Sequence, residues 1–195
     1  MLNIVVAWMA EARPLVDHFR LEPLSKRYGF RIYRGAEIHL VISGQGSAAA
    51  AAGCAWLQSV SRSVSTVPWL NIGIAGHRDL AIGSAVLARA VIDEASGRQW
   101  RLPLAAGDPA AAEVLTVATP DTRYRHHQVV EMEASGFVET ALRFTDRCNV
   151  ACLKVISDNA ASPAGGFEPA AATRLIAARL DAVEELIGRL EHHND

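Results

Sequence analysis

The chain has 195 residues, half of them apolar, and its 19 basic and 21 acidic residues leave a formal net charge of −2. This length and apolar content suffice for a sizeable buried core, and we expect residues 1–195 to form a single domain. The balanced charge argues against a broad nucleic-acid surface, which needs clustered basic residues. Nearly all of the basic residues are arginines, since Lys26 and Lys154 are the only lysines.

The N-terminal segment does not have the pattern of a signal peptide or of a membrane span. No basic residue precedes its apolar run, and Glu11 interrupts that run early. The cysteines are Cys54, Cys148 and Cys152; they form no CxxC pair, and their spacing does not match a zinc site. We therefore expect a cytoplasmic protein with reduced cysteines and no metal site.

Short apolar runs alternate with helical segments along the first half of the chain. A hairpin is predicted around the sequence RGA, and an alanine-rich helix follows the glycine turn SGQG. Pro14 is expected in the first turn of the first helix, where proline is tolerated. The predicted elements are a strand over residues 2–8, a helix over 11–19, hairpin strands over 29–33 and 37–43, the alanine-rich helix, and a strand over 67–72.

The second half continues this alternation. The strand-like sequence GSAVLARAVIDEASG ends at a turn, and a short strand over residues 98–102 can pair with it. Residues 105–113 are expected to form a loop or the start of a helix. The remaining predicted elements are strands over residues 114–118, 128–131 and 151–157, a helix over 134–144, and a final helix over about 170–190.

Strands that alternate with helices, with hairpins inserted between them, indicate an α/β protein. The pattern predicts a three-layer α/β/α sandwich around a mixed central β-sheet. In such a sheet, ligands bind beyond the carboxyl ends of the strands. Four segments with unusual residues are expected at these ends: SGQG, GIAGHRD, VEMEAS and ISDNA.

Asp158 in ISDNA directly follows a predicted buried strand. A partly buried carboxyl group in this position can be kept protonated by desolvation and can then donate a proton. The residues alone favour a simpler role, a cap for the turn or helix that follows.

Glu131 and Glu133 flank Met132 where another strand ends and a helix starts. A fixed carboxylate at this edge can accept two hydrogen bonds from a vicinal diol such as that of a ribose, and Met132 could lie against the sugar. The residues alone again favour the structural alternative, in which Met132 fills the core and both carboxylates stabilise the helix start.

Other polar residues follow the first and fourth predicted strands. Glu11 is a second candidate carboxylate, and Arg13 is either an anion ligand or a surface residue. His77 and Arg78 are expected in a solvated loop. A Ser-His-Asp hydrolase is disfavoured because the chain has no GxSxG motif.

The order of these segments resembles the nucleoside phosphorylase superfamily, especially its methylthioadenosine/S-adenosylhomocysteine nucleosidase branch. VVEMEASG is similar to the family's VEMEATA segment, and KVISDNA to its RAISDxAD segment. The segments IVVAWMAEARPL, SGQGSAAAAAG and NIGIAGHRDLAIGSAVLA resemble the family's first turn, its SGxGKxxAA segment and its NTGSAGGL segment. The resemblance runs in the same order from the first strand to the last helix.

The resemblance implies roles that the residues alone leave open. Asp158 would protonate a purine at N7, Glu133 would bind the ribose hydroxyls, and Met132 would pack against the sugar. Ala75 and Gly76 would line the pocket for the base and sugar. Such an enzyme would need no metal or organic cofactor, although phosphate could be a co-substrate. The partners would be a small-molecule nucleoside and further copies of the chain, in a dimer or a higher oligomer.

The sequence departs from the family pattern where the attacking group is expected. Ala12 stands where nucleosidases carry the glutamate that activates water, with Glu11 one residue earlier, and Ile74 replaces a serine. Arg13 and Arg78 are the candidate phosphate ligands. The segment between residues 117 and 131 is shorter than usual, and Tyr124 is its only candidate for the aromatic residue that stacks on the base.

The first hypothesis is therefore an enzyme that cleaves the N-glycosidic bond of a purine nucleoside, with Asp158 as the acid, Glu133 on the ribose, and either Glu11 or a phosphate on the attacking side. The alternative is a nucleoside-binding or assembly protein that kept the fold and lost the attacking group. A different glycosyl or ribosyl transfer on the same scaffold is a third alternative.

Overall fold

The computed structural model describes residues 1–24, 29–103, 108 and 110–192, and these ranges contain strands and helices in alternation. The strands are β1 (Leu2–Val6), β2 (Glu22–Pro23), β3 (Arg31–Arg34), β4 (Ile38–Ile42), β5 (Trp69–Gly76), β6 (Ala85–Asp93), β7 (Gln99–Arg101), β8 (Ala112–Thr116), β9 (Val129–Glu131) and β10 (Val150–Asp158). The helices are α1 (Met9–His18), α2 (Ser47–Ser61), α3 (Ala134–Ala141), α4 (Pro169–Ala177) and α5 (Leu180–His192).

All of these strands belong to one mixed sheet. β1 lies parallel to β4 and β5, and the predicted hairpin is confirmed by the antiparallel pairing of β3 with β4. β10 is parallel to β5 and antiparallel to β6, and β7 pairs antiparallel with β6 as predicted. The pairing then continues in parallel from β6 to β8 and from β8 to β9.

The sheet closes on itself through a single pairing, in which Gly76 at the end of β5 faces Val130 of β9. Five strands, β5, β10, β6, β8 and β9, thus form a barrel-like half, and β1, β4, β3 and β2 extend from it as an open sheet. Asp158 also pairs with Gly76, from the other side of β5. The closure therefore brings the ends of β5, β9 and β10 together.

Two apolar clusters cover the two faces of the sheet. Alternate residues of β1 point in opposite directions, so that Val5 packs with α2 and α3, whereas Ile4 packs with α1, α4 and α5. Phe137 of α3 and Leu15 of α1 are fully buried, one on each face. The predicted three-layer α/β/α arrangement around a mixed sheet is confirmed.

Two features of the helices differ from the sequence predictions. α1 begins at Met9, so Pro14 lies in its second turn and not in its first. The Glu11 carboxylate accepts the backbone N–H of Trp8, the residue before the helix, and this bond fixes the earlier start. The predicted loop or helix start over residues 105–113 falls partly outside the described residues.

The predicted final helix is two helices, because the chain turns between α4 and α5. Ala178 caps the C-terminal end of α4, and the guanidinium group of the next residue, Arg179, donates hydrogen bonds to the carbonyl oxygens of Gly83 and Ala178. Apolar residues continue at helical spacing on both sides of the turn. The periodicity therefore gives no sign of the break.

The N-termini of α2 and α3 approach each other so closely that position 136 must be glycine. A Cβ atom at Gly136 would lie 1.9 Å from the carbonyl oxygen of Ser47. The hydroxyl groups of Ser47 and Ser135 are also hydrogen bonded across this contact, at 2.9 Å.

We expect Gly136→Ala to lower the free energy of unfolding by about 1–3 kcal/mol or more, because the two helices must separate to admit the methyl group. Urea denaturation would measure the change. Gly188→Ala is a matched control, since a Cβ there meets nothing within 4 Å and alanine is favoured over glycine in a helix by up to about 1 kcal/mol. Equal stability of Gly136→Ala and the wild type would contradict the close helix contact.

Candidate functional site

A cavity of about 400 Å³ opens where β5, β9 and β10 end. Its lining residues are far apart in the sequence, and they include all but one of the predicted site residues. These predicted residues are Glu11, Ala75, Gly76, Arg78, Tyr124, Met132, Glu133 and Asp158. Arg13 does not line the cavity; it lies on the exposed side of α1.

Glu11 forms one wall of the cavity, and its carboxylate is fixed by three backbone N–H groups. Oε2 accepts hydrogen bonds from Ala7 at 3.1 Å and Trp8 at 2.9 Å, and Oε1 accepts one from Ile74 at 3.0 Å. The side chain is buried, and burial raises the pKa of Glu11 in spite of these bonds. Oε1 keeps a lone pair for a further donor.

Glu131 and Lys154 form a buried ion pair beneath the cavity floor. The ammonium group of Lys154 donates to Oε2 of Glu131 and to Oδ1 of Asn71, both at 2.7 Å, and both charged side chains are 1% exposed. Oε2 of Glu131 also accepts the backbone N–H groups of Glu133 and Ala134 at the start of α3. Glu131 therefore has a structural role: its carboxylate caps the start of α3, and the ion pair with Lys154 fixes the carboxylate in that position.

Lys154 keeps its positive charge because it lies among carboxylates. Burial lowers the pKa of Lys154, but the charges of Glu131 and Glu133 outweigh that effect and raise it overall. Glu11 is close as well: its Oε1 and the Lys154 ammonium lie 3.1 Å and 3.6 Å from the position that a Cβ at Gly73 would occupy. One cation thus neutralises part of the charge of three carboxylates.

Glu133 is held at the cavity edge by the backbone N–H of Gly46, which donates to Oε1 at 2.8 Å. Gly46 has a positive φ of 98°, a backbone conformation that glycine adopts readily. Burial and the nearby charge of Glu131 raise the pKa of Glu133 to about 7. Beside it, the amide of Gln45 contacts the sulfur of Met132 at 3.0 Å.

Asp158 lies on the opposite side of the cavity and accepts two hydroxyl groups. Ser157 donates to Oδ1 at 2.5 Å, and Tyr124 donates to Oδ2 at 2.7 Å. Tyr124 also accepts the backbone N–H of Ala164 at 2.9 Å. Gly76 allows this approach, because a Cβ there would lie 2.8 Å from Oδ2. Tyr124, expected from the sequence as a stacking aromatic, thus holds the carboxyl group through its hydroxyl.

Two aromatic residues that sequence reasoning missed stack at the cavity edge. The rings of Trp8 and Phe167 have centroids 5.0 Å apart, and both residues line the cavity. They remain 38% and 45% exposed, which is unusual for large apolar side chains. They provide an apolar surface on which a ligand can pack.

The described lining residues include three basic side chains, none of which forms a hydrogen bond or an ion pair with Glu11. They are His77, Arg78 and His126. Arg78 is 44% exposed and pairs with the neighbouring Asp79 at 3.2 Å. The wall around Glu11 is therefore acidic, with Lys154 as its buried counter-charge.

Sequence reasoning missed Lys154 although the sequence carried a signal. It is one of only two lysines, and it interrupts an otherwise apolar strand. A charged residue in a strand that is buried on both faces requires a partner of opposite charge in the core. Such a partner could therefore have been predicted from the sequence. Trp8 and Phe167 lie outside the strands and helices, where single aromatic residues carry no comparable signal.

Within the described ranges, no three His, Cys, Asp or Glu side chains are grouped so that they could hold a metal ion. In the same part of the chain, no helix is long and apolar enough to cross a membrane.

Comparison with known proteins gives matches in structure and not in sequence. No protein-family model matches the chain, and no curated protein sequence matches it. The fold matches 5′-methylthioadenosine nucleosidase from Arabidopsis thaliana with a TM-score of 0.77 and 18% identity, covering 97% of this chain and 95% of that one.

Two Helicobacter pylori structures match similarly. The 5′-methylthioadenosine/S-adenosylhomocysteine nucleosidase has a TM-score of 0.75 and 13% identity, over 96% of this chain and 97% of that one. A futalosine hydrolase mutant has a TM-score of 0.71 and 14% identity, over 96% and 98%. The chain therefore has the fold of these nucleosidases over nearly its whole length, and the fold that the sequence resemblance predicted is confirmed.

The raised pKa of Glu133 predicts a pH-dependent effect of Glu133→Gln on stability. The unfolded chain ionises this carboxyl group near pH 4.5 and the folded protein near pH 7. Below pH 4.5, ionisation of Glu133 therefore does not change the free energy of unfolding. Between pH 4.5 and 7 it lowers this free energy increasingly, and above that range the loss reaches about 3 kcal/mol.

We expect Glu133→Gln to be more stable than the wild type at pH 8, and to lose this advantage as the pH falls to 4. Urea denaturation across this pH range would measure the difference, with Glu22→Gln on an exposed strand as a control. A stability difference that does not change with pH would contradict the raised pKa.

Proposed function

We propose that this protein hydrolyses the N-glycosidic bond of a purine nucleoside or a close derivative. The observation that carries the proposal is that three carboxyl groups, from the ends of three different strands, face one cavity. They are Glu11 after β1, Glu133 after β9 and Asp158 at the end of β10. N-glycosidic cleavage needs an acid at the base, a partner for the sugar and an activated nucleophile.

Asp158 is the acid in this proposal. It protonates the purine at N7, so that the base leaves as a neutral molecule. The bonds from Ser157 and Tyr124 support this role because they fix the orientation of the carboxyl group. Tyr124 can keep donating at neutral pH, since burial, and also the bond to Asp158, raise the pKa of its hydroxyl.

Glu133 is the ribose ligand, with Met132 packed against the sugar. Gly46 holds Oε1 of Glu133, and no hydrogen bond from the described residues reaches Oε2. That oxygen is available for the sugar hydroxyls. Ala75 and Gly76 line the wall between Glu133 and Asp158 and leave room for the base and sugar.

Glu11 is the base that activates water. Burial raises its pKa, which strengthens it as a proton acceptor, and the three backbone bonds fix its position. Phosphate is a poor alternative because it would face the carboxyl groups of Glu11 and Glu133. Neither candidate phosphate ligand helps, since Arg13 lies outside the cavity and Arg78 pairs with Asp79.

The alternative of a nucleoside-binding protein without an attacking group rested on Ala12 and Ile74. Ala12 is fully buried in the core, whereas the adjacent Glu11 lines the cavity. Ile74 contributes its backbone N–H to the Glu11 carboxylate. A carboxylate on the attacking side favours hydrolysis over binding alone.

The structural neighbours support a purine substrate. Besides the Arabidopsis and Helicobacter proteins, a nucleosidase from Colwellia psychrerythraea with this fold was crystallised with adenine, at 17% identity to this chain. The single-domain organisation, cytoplasmic location, homo-oligomer and independence of any cofactor stay predictions.

Release of free base from adenosine, inosine and methylthioadenosine tests the proposal. We expect the wild type to release base from at least one of them, and Asp158→Asn and Glu11→Gln each to lower kcat by about 100-fold or more, because each removes one proton-transfer group. Chromatography of the free base would measure the rates.

Glu22→Gln serves as the control for this experiment, since Glu22 lies on an exposed strand far along the sheet from the cavity. It should retain the wild-type rate. No base release from any of the three nucleosides, or full activity in Asp158→Asn, would contradict the proposed function.

A further inference from the structure

His77 follows the end of β5 and closes a tight turn on the Asp158 side of the cavity. Its ring nitrogen Nδ1 accepts the backbone N–H groups of Asp79 and Leu80, both at 2.9 Å. A histidine that accepts two N–H groups at Nδ1 must carry its proton on Nε2.

That proton has its own acceptor. Nε2 lies 3.2 Å from the carbonyl oxygen of His127, two residues before β9. Both ring nitrogens of His77 are therefore engaged with the backbone. Although the ring lines the cavity, both of its nitrogens are hydrogen bonded to backbone groups and are not available to a ligand.

The turn closed by His77 is joined to the segment that carries Asp158. The backbone N–H of His77 donates to the carbonyl oxygen of Asp158 at 3.1 Å, and Ala160 donates to that of Arg78 at 3.2 Å. The side-chain amide of Asn159 donates to the carbonyl oxygen of Leu80 at 2.8 Å. Three hydrogen bonds thus connect three residues of the turn to residues 158–160.

We propose that His77 is a positioning residue for the acid step. By closing its turn it sets the backbone at Asp158, and through His127 it ties this turn to the chain that leads into β9. Because the turn is hydrogen bonded directly to residues 158–160, whereas no bond among the described residues joins it to Glu11 or Glu133, we expect its main effect on protonation of the leaving base. This inference rests on the proposed function, because it assigns His77 a part in that reaction.

The chain itself indicates which substitution should preserve the turn. Asn159 closes the neighbouring turn in the same way, since its Oδ1 accepts the backbone N–H groups of Ala161 at 3.1 Å and Ser162 at 2.8 Å. An asparagine at position 77 would place an acceptor where Nδ1 now lies. His77→Asn should then keep the turn, and His77→Ala should lose it.

Two substrates that differ in their need for an acid separate the proposed role from a general structural one. An ordinary purine nucleoside needs protonation at N7, whereas an N7-methylated purine nucleoside already carries the positive charge and leaves without an acid. The ratio of the two rates within one variant does not depend on the fraction of folded enzyme.

We expect His77→Ala to lower kcat on the ordinary nucleoside about 10- to 100-fold and to change kcat on the methylated one less than about 3-fold. His77→Asn should restore most of the loss. Asp158→Asn calibrates the assay, because it removes the acid itself. His18→Ala, which removes an exposed histidine bonded to Glu184, should leave both rates unchanged.

Equal losses of His77→Ala on both substrates, or no loss on either, would overturn the inference. Hydrogen exchange tests it independently of turnover: the amides of Asp79 and Leu80 should exchange at least about 10-fold faster in His77→Ala and near the wild-type rate in His77→Asn. Unchanged exchange in His77→Ala would also overturn it. Failure of the wild type to cleave either substrate would instead contradict the proposed function.

Discussion

The buried ammonium group of Lys154 allows three carboxylates to share one end of the sheet. Glu11, Glu131 and Glu133 would repel one another in a medium of low polarity, and a central cation offsets that repulsion. Its bond to Glu131 also fixes the carboxylate that caps α3, and the helix cap in turn fixes the backbone of Glu133. Removal of this charge would leave uncompensated carboxylates in the core, so the site and the fold depend on the same ion pair.

The closed half of the sheet has the complementary role of bringing the functional ends together. The pairings of Gly76 with Val130 on one side and with Asp158 on the other place the ends of β5, β9 and β10 around one cavity. Glycine at position 76 is needed because Oδ2 of Asp158 occupies the space of a side chain. The candidate acid and the candidate sugar ligand therefore have fixed positions before any ligand binds, which is the arrangement that electrostatic catalysis requires.

Local patterns predicted the fold class, the order of strands and helices, and the segments that line the cavity, because each depends on apolar periodicity or on glycine turns. Other features depend on contacts between distant segments. Three features depend on a contact with a residue about 20 or more positions away in the sequence. They are the ion pair of Lys154, the hydrogen bond from the Tyr124 hydroxyl to Asp158, and the turn between α4 and α5. Resemblance between motifs also aligned Ala12 with the attacking position, whereas the orientation of the first turn puts Glu11 into the cavity wall.

The central claim is that water, activated by Glu11, attacks the sugar in an acidic pocket that does not hold phosphate. Analysis of the sugar product by mass spectrometry, with a purine nucleoside and excess inorganic phosphate, tests this claim directly. The acidic wall predicts free sugar as the product, at a rate that does not depend on the phosphate concentration. Formation of the sugar 1-phosphate, with a rate that rises with phosphate, would contradict it.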